Sequence, residues 1–312
     1  MKTLIYLNLI VLAAVCAFAQ INAVEHEWRA TLKVVDDNGS PVAGVNVGVG
    51  YYVGNTSKRI DGLTDTNGVF VAAHSASTSG YAVYDLAFVV EKAGYYQTWK
   101  KCDLGVDYNA AKWNPTVTLV LKKIGKPIAM YAKKYVLGLK LPEYGKQIGY
   151  DLMVGDWVGP YGKGVTSDFI FEQDYTNISS TAYYSEITVS FPKDGDGIQV
   201  YTIPDSETGS GLRSPHEAPI DGYQAKLTRE TSAQSGQPSK FEYDPNRIYL
   251  FRVRTAVDDR GKIVSTHYGK IYGDFMQFTY YLNPTPNDQN IEFDLKQNLL
   301  HGLQSFEQVP QP

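Results

Sequence analysis

Two short segments constrain the fold of this chain more than any other feature. Asp36-Asp37-Asn38-Gly39 and Asp65-Thr66-Asn67-Gly68 each interrupt a run of β-branched and aromatic residues. Asn-Gly accepts the positive φ angles of a tight turn, so each segment is expected to fold one strand back on the next. Between them Val45, Val47 and Val49 alternate with Asn46, Gly48 and Gly50. That period of two is the pattern of a strand buried on one face only. Thr31 to Val34, Tyr84 to Val90 and Thr116 to Leu121 read as further strands. No stretch of this half carries a useful helical period. Short strands turned about every ten residues predict a β-sandwich.

The second half has the same texture. Asp168-Phe169-Ile170-Phe171, Ser185 to Phe191 and Ile198 to Ile203 are strand-like. The clearest hairpin runs out from Arg247 to Thr255, turns at Asp258-Asp259-Arg260-Gly261 and returns through Lys262 to Tyr268. Its alternation puts Tyr249, Phe251 and Val253 on one face and Arg252 and Arg254 on the other. Phe275 to Leu282 is a further strand. Between the halves, residues 124–146 carry Gly125, Pro127, Pro142 and Gly145 but no Gly/Ser-rich tract. They read as a packed connecting strap rather than a flexible linker. Two polar loops, 204–222 and 229–240, are long for a compact domain, and such loops are either functional or disordered.

The first half resembles the carboxypeptidase regulatory-like domain, a transthyretin-like β-sandwich. The residues that carry the likeness are Val35 through Val47 with the first Asn-Gly turn, then Thr64-Asp65-Thr66-Asn67-Gly68-Val69-Phe70, then Lys92-Ala93-Gly94-Tyr95. They fall in the expected order over a third of the chain, although the insertions around 53–61 and 103–114 are longer than a minimal module requires. The resemblance implies a non-catalytic accessory module whose structural neighbours include carbohydrate-binding modules, and it implies no active-site residue. The second half resembles uncharacterised exported bacterial proteins that carry such a sandwich, and no activity follows from that.

The N-terminus reads as a secretory leader over 1–19. Lys2 is followed by an apolar run from Leu4 to Ala17, and Ala17-Phe18-Ala19 offers the small residues of a cleavage site. Cys16 next to Val15 is the weaker, lipoprotein alternative. Loss of the leader removes Cys16 and leaves Cys102 as the one thiol, so the fold must rest on core burial rather than a disulfide. The formal charge of −4 becomes one unit more negative without Lys2, which argues against a nucleic-acid partner. No later segment is apolar for long enough to span a bilayer.

Signatures of catalysis and metal binding are sparse. The chain has no H-E-x-x-H, paired C-x-x-C, G-x-S-x-G or phosphate-binding loop, and no cofactor is expected. Asp156, Asp168, Glu172, Asp174 and Glu186 could supply the two carboxylates of a glycoside hydrolase, or they could be ordinary surface charge. Lys193-Asp194-Gly195-Asp196-Gly197 faintly resembles a calcium loop without its later ligands and reads better as a hairpin turn. Tyrosine is abundant, 24 of 312 residues, with Tyr-Tyr pairs at 51–52, 95–96, 183–184 and 280–281. In a regular strand each pair sends one ring to each face, and an exposed ring can stack on a sugar. Trp157 and Tyr161, in the Gly/Pro-rich stretch 155–164, are candidate ligand contacts, although Trp157 reads better as a core plug at the base of its loop. Arg213 and His216, with Glu217, could bind an anion or a sugar hydroxyl, or Arg213 could simply cap its loop.

The chain therefore reads as all-β: a seven-stranded Ig- or transthyretin-like sandwich over 25–123, the strap over 124–146, a larger antiparallel β domain over 147–300 and a tail over 301–312. The expected role is that of an exported, non-catalytic binding or structural protein. Its expected partner is a carbohydrate or an envelope component, and the alternatives are a carboxylate-dependent hydrolase or an assembly component that binds no glycan.

Overall fold

The computed structural model describes residues 24–53, 56–78, 85–103, 115–135, 139–179, 181–234, 236–241, 244–275 and 278–312. The leader expected over 1–19, most of the insertion around 103–114 and the side chain of Cys102 lie outside them. Among the described residues the chain is all-β, with no α-helix and only two short 3-10 turns, Asp205–Glu207 and Ser305–Glu307. It divides into two units, 1–123 and 124–312.

The first unit holds β1 (Val24–Val35), β2 (Asn46–Val53), β3 (Thr56–Leu63), β4 (Val69–Thr78), β5 (Asp85–Glu91), β6 (Thr98–Asp103) and β7 (Thr116–Val120). They form one sheet in the order β4-β1-β7 and another in the order β3-β2-β5-β6. Leu32 and Val34 of the first sheet and Val45, Val47, Val49, Phe88 and Val90 on the side of the second close a buried apolar core between them. The valine face read from the sequence is therefore the inner face.

The two turns differ from the simplest Asn-Gly hairpin. Only the glycines take positive φ, 78° at Gly39 and 70° at Gly68. The preceding aspartates organise each turn: Asp36 Oδ1 accepts the N–H groups of Asn38 and Ser40, and Asp65 Oδ1 those of Asn67 and Val69. An Asp that satisfies its own turn amides favours a type I turn closed by one left-handed glycine. Thr64 then fastens this corner, donating its hydroxyl to Val42 O at 2.7 Å and accepting Val45 N–H at 3.0 Å.

The second unit begins inside the expected strap. Residues 124–146 include β8 (Ile128–Lys134), which lies within a sheet between two later strands, so this segment is part of the unit and not a connector. The remaining strands are β9 (Ile148–Asp151), β10 (Asp156–Trp157), β11 (Phe169–Ser179), β12 (Ala182–Ser190), β13 (Gly197–Thr202), β14 (Lys226–Ala233), β15 (Lys240–Phe241), β16 (Arg247–Val257), β17 (Ile263–Tyr272), β18 (Thr279–Leu282) and β19 (Phe293–Asn298). Two six-stranded sheets result, β10-β9-β11-β12-β14-β15 and β13-β16-β17-β18-β8-β19. All pairs are antiparallel except β8 with β19.

An aromatic core built on Tyr150, Phe169, Phe171, Phe251, Phe278 and Tyr280 fills the space between these sheets. The second sheet is also covered on its other face, where Met130, Ala132, Leu250 and Tyr281 pack with Ile203, Ala218, Ile291 and Phe293. Loop 204–222 is therefore neither free nor extended: Ser210, Leu212, Ser214 and Ala218 are buried in it. Loop 229–240 is strand at both ends, since β14 runs to Ala233 and pairs with β15, which begins at Lys240. The segment 301–312, expected as a tail, is tied back to the sheet by Tyr281 and Tyr272.

Candidate functional site

The four sequence candidates do not meet. Trp157 is half-buried against the inner core, its ring edge-on to Tyr150 at 5.2 Å and Phe171 at 5.9 Å, so it is the plug. Tyr161 is exposed and donates to Glu143 Oε2 at 2.7 Å, and Lys146 pairs with the same carboxylate at 2.6 Å. These partners hold the Glu143 carboxyl below its usual range, Lys146 contributing most. Arg213 belongs to the opposite side of the second sheet, over the Tyr272 ring and bonded to Pro245 O. His216 Nδ1 lies 3.4 Å from the buried Glu292 carboxylate, which also accepts the N–H groups of Gly125 and Lys126. The sheet separates the two pairs because its alternate residues serve different cores, as Tyr280 and Tyr281 show.

The carboxylates are likewise engaged structurally. Asp156 accepts the main-chain N–H groups of Trp157 and Lys163. Asp168, 0 % exposed, takes a bidentate pair of bonds from Arg254 at 2.7 and 3.0 Å. The same guanidinium reaches Asp151, 3 % exposed, at 2.9 Å. Arg254 was expected on the face opposite Phe251, but it has a left-handed φ of 57° and the β16–β17 register shifts after Val253. This bulge re-aims its side chain towards the facing sheet. Burial raises the Asp168 carboxyl while Arg254 opposes the rise. Asp151 is held below its usual range: backbone amides, Thr166 and Val165 foremost, and then Arg254 outweigh the opposing effect of burial. Glu172 accepts from Gln147, and Asp174 lies opposite Glu186 on the outer face of the first sheet. Among the described residues no group of three or more His, Cys, Asp or Glu is placed to hold a metal ion.

A different surface combines open volume with recognition chemistry. On the outer face of the β3-β2-β5-β6 sheet, register sets Asp61 opposite Gly48, Gly48 opposite Val89 and Val89 opposite Trp99. The adjoining row is Leu63, Asn46 and Glu91. Asp61, Gly48, Val89, Leu63, Asn46 and Glu91, with Arg59 and Gln97, line a trough of about 770 Å³, which lies within the size range of ligand sites. Gly48, with no side chain, leaves room on this face for the Arg59 side chain. A Cβ at Gly48 would meet the Arg59 guanidinium, which lies across it.

Arg59 is anchored there by Asp61 at 2.6 Å, and Gln97 donates to Glu91 at 3.2 Å. Trp99, 52 % exposed, stands beside the trough on β6, and Leu63, 60 % exposed, lines it on β3. The site thus offers amide, carboxylate and guanidinium groups around a shallow floor, next to an aromatic face. Sequence reasoning placed Asn46, Gly48 and Gly50 on the outer face but assigned them no role. The usable signal was glycine at alternate outward positions, which in a strand interior marks a close approach of another group to the backbone.

No protein-family model and no curated protein matches the chain. Among solved structures it is similar to 3-chlorocatechol 1,2-dioxygenase from Rhodococcus opacus 1CP, at 15 % identity and a TM-score of 0.27, over 33 % of this chain and 62 % of that one. Catechol 1,2-dioxygenase from Acinetobacter radioresistens gives 13 % identity and a TM-score of 0.27, over 35 % and 56 %. The match therefore spans less than two thirds of either dioxygenase. The shaft pilin spaA from Lactobacillus rhamnosus GG gives 10 % identity and a TM-score of 0.21, over 87 % of this chain and 95 % of that one. At such scores none of these likenesses carries a conclusion about the chain.

Proposed function

We propose that the chain is an exported, non-catalytic binding protein and that its N-terminal sandwich takes carbohydrate in the trough over Gly48. The observation that carries this reading is the cross-strand row Asp61–Gly48–Val89–Trp99. Sugar rings present C–H faces that suit an exposed indole, and hydroxyls that both donate and accept. Asn46 and Gln97 can do both in return, Asp61 and Glu91 accept, and Arg59 donates. The resemblance to the carboxypeptidase regulatory-like module and the leader read at 1–19 support the accessory, exported role.

The test is retention on a panel of soluble and insoluble polysaccharides, with the intact chain compared with Trp99→Ala and Gly48→Val. Both changes lie on the outer face and leave the inner valines in place. Each is expected to weaken retention at least tenfold, a loss of about 1.4 kcal/mol. Absence of retention on every polymer would refute the carbohydrate reading. Retention untouched by either change would place the site elsewhere.

A further inference from the structure

Residues 308–312, Gln-Val-Pro-Gln-Pro, form no helix or strand, yet their sequence favours an extended shape. Gln308 sits at φ −71° and ψ 138°. Pro310 and Pro312 fix their own φ near −65°, at about the same value. Each also drives the residue before it, Val309 and Gln311, into the extended region. These restraints favour a polyproline II conformation, which makes no internal hydrogen bonds. Its carbonyl oxygens are therefore open to donors outside the segment or to solvent.

Two tyrosines supply them. Tyr281 Oη donates to Gln311 O at 2.8 Å and Tyr272 Oη to the main-chain oxygen of Pro312 at 2.9 Å. Both rings are buried and meet edge-on at 5.3 Å. Burial pushes the Tyr272 phenol up to about 12 and the Tyr281 phenol well above its ordinary value, so both remain donors through the neutral range. Beneath them the buried Lys270 sets its Nζ 4.9 and 5.0 Å from the two ring centroids and donates to Ser214 Oγ. Ser214 N–H in turn donates to Tyr272 Oη at 3.2 Å, and Ser214 Oγ is a second, longer acceptor for that phenol at 3.3 Å, beside Pro312 O at 2.9 Å. Val309 packs on the neighbouring apolar cluster. A rigid aromatic floor whose hydroxyls donate to the carbonyls of a pre-extended, proline-bearing segment is the chemistry by which aromatic grooves read proline-rich peptides.

We infer that this face of the second unit is a receptor for a polyproline II peptide, and that residues 308–312 are its occupant, bound in cis. The lead into the segment is suited to exchange. His301, Gly302, Gln304 and Ser305 are exposed, Gly302 takes a left-handed φ of 75°, and Phe306 is 60 % exposed. The Lys133–Glu307 ion pair at 3.1 Å tethers it just before the bound residues. A ligand on so short a lead has an effective concentration on the order of millimolar. The site is thereby closed to free peptide while the lead is intact.

The experiment uses the chain truncated after Glu307 and a labelled peptide with the sequence of residues 303–312, titrated by fluorescence anisotropy. Saturable binding to the truncated chain is expected, at least tenfold weaker in the full chain. Tyr272→Phe or Tyr281→Phe should each weaken it about tenfold, since each leaves a carbonyl unmet. A peptide with both prolines changed to Ala should also bind less well, having lost its preorganisation. A truncated chain that keeps its circular dichroism but ignores the peptide overturns the inference, and so does one that takes the Ala peptide equally well. If truncation prevents folding, a protease site placed within 301–305 and cut after folding gives the same receptor. Exchange of the cut segment for labelled peptide supports the inference. A segment that leaves at once, with added peptide ignored, refutes it.

Discussion

Replacing Arg254 by Met would leave two buried carboxylates facing each other without their cation. The guanidinium makes three N–H···O bonds to them and is itself only 22 % exposed. Asp151 keeps the main-chain N–H groups of Met153, Val154, Val165 and Thr166, whereas Asp168 keeps that of Leu152. Asp168 therefore bears most of the loss. Removing one partner of a buried ion pair costs about 3–5 kcal/mol. At about 2–4 °C per kcal/mol for a unit of roughly this size, the second unit should melt about 6–20 °C lower at pH 7.

The pH dependence separates lost charge compensation from lost packing. Burial already raises the folded Asp168 carboxyl, and Arg254 is what opposes the rise. Without it the folded carboxyl should take a proton at higher pH than the unfolded one, near 3.9. Between those two values the folded variant binds more protons than the unfolded chain, so acidification stabilises it. Asp151 contributes with the opposite sign: its folded value is depressed, so its contribution is lost only as pH falls below the ordinary carboxylate range. The gap between wild type and Arg254→Met should therefore narrow from pH 7 towards pH 4. Calorimetry of both proteins at several pH values in that interval measures it. A gap that stays constant or widens on acidification would show that the guanidinium acts by packing and not by charge.

Thr64→Val keeps the shape of the side chain but leaves Val42 O and Val45 N–H without their partner, and it should cost the first unit about 1–3 kcal/mol in urea titration. An unchanged midpoint would mean that water replaces the hydroxyl at that corner. Tyr280→Phe removes the hydroxyl bonded to Leu152 O at 2.9 Å without opening a cavity, so a loss of about 1–3 kcal/mol is expected. Phe169→Ala empties part of the aromatic core and should cost about 3–5 kcal/mol. The reverse order of the two would contradict the core described above.

What the sequence disclosed was local. The paired turns, the valine alternation and the β16–β17 hairpin were readable because each is set by residues close together in the chain. Even the facing of Tyr249, Phe251 and Val253 follows from a period of two. The Tyr-Tyr pairs show where that reasoning stops. Tyr280 and Tyr281 do point to opposite faces, but the second sheet is buried on both, so neither ring reaches solvent. Alternation gives direction and says nothing of what lies in that direction. Arg254 escaped for a related reason, since one left-handed residue at a bulge reverses the parity of the strand after it. The trough was half legible. Gly48 could be placed outward, but its position beside Asp61 on one strand and Val89 and Trp99 on two others depends on register across three pairings.

The position of β8 has a consequence for how the chain is made. This strand belongs near the start of the second unit, yet it pairs with β18 on one side and β19 on the other. The amide side chain of Asn298 completes the second pairing by bonding both the N–H and the carbonyl of Ala132, 166 residues earlier. A chain growing from its N-terminus must carry β8 with both edges bare until nearly the whole unit has been synthesised. Closing a loop of that length is slow, and an unpaired apolar strand invites the wrong neighbour meanwhile. Chains that stop before Thr279 should accumulate as aggregates, so this unit is completed late or not at all.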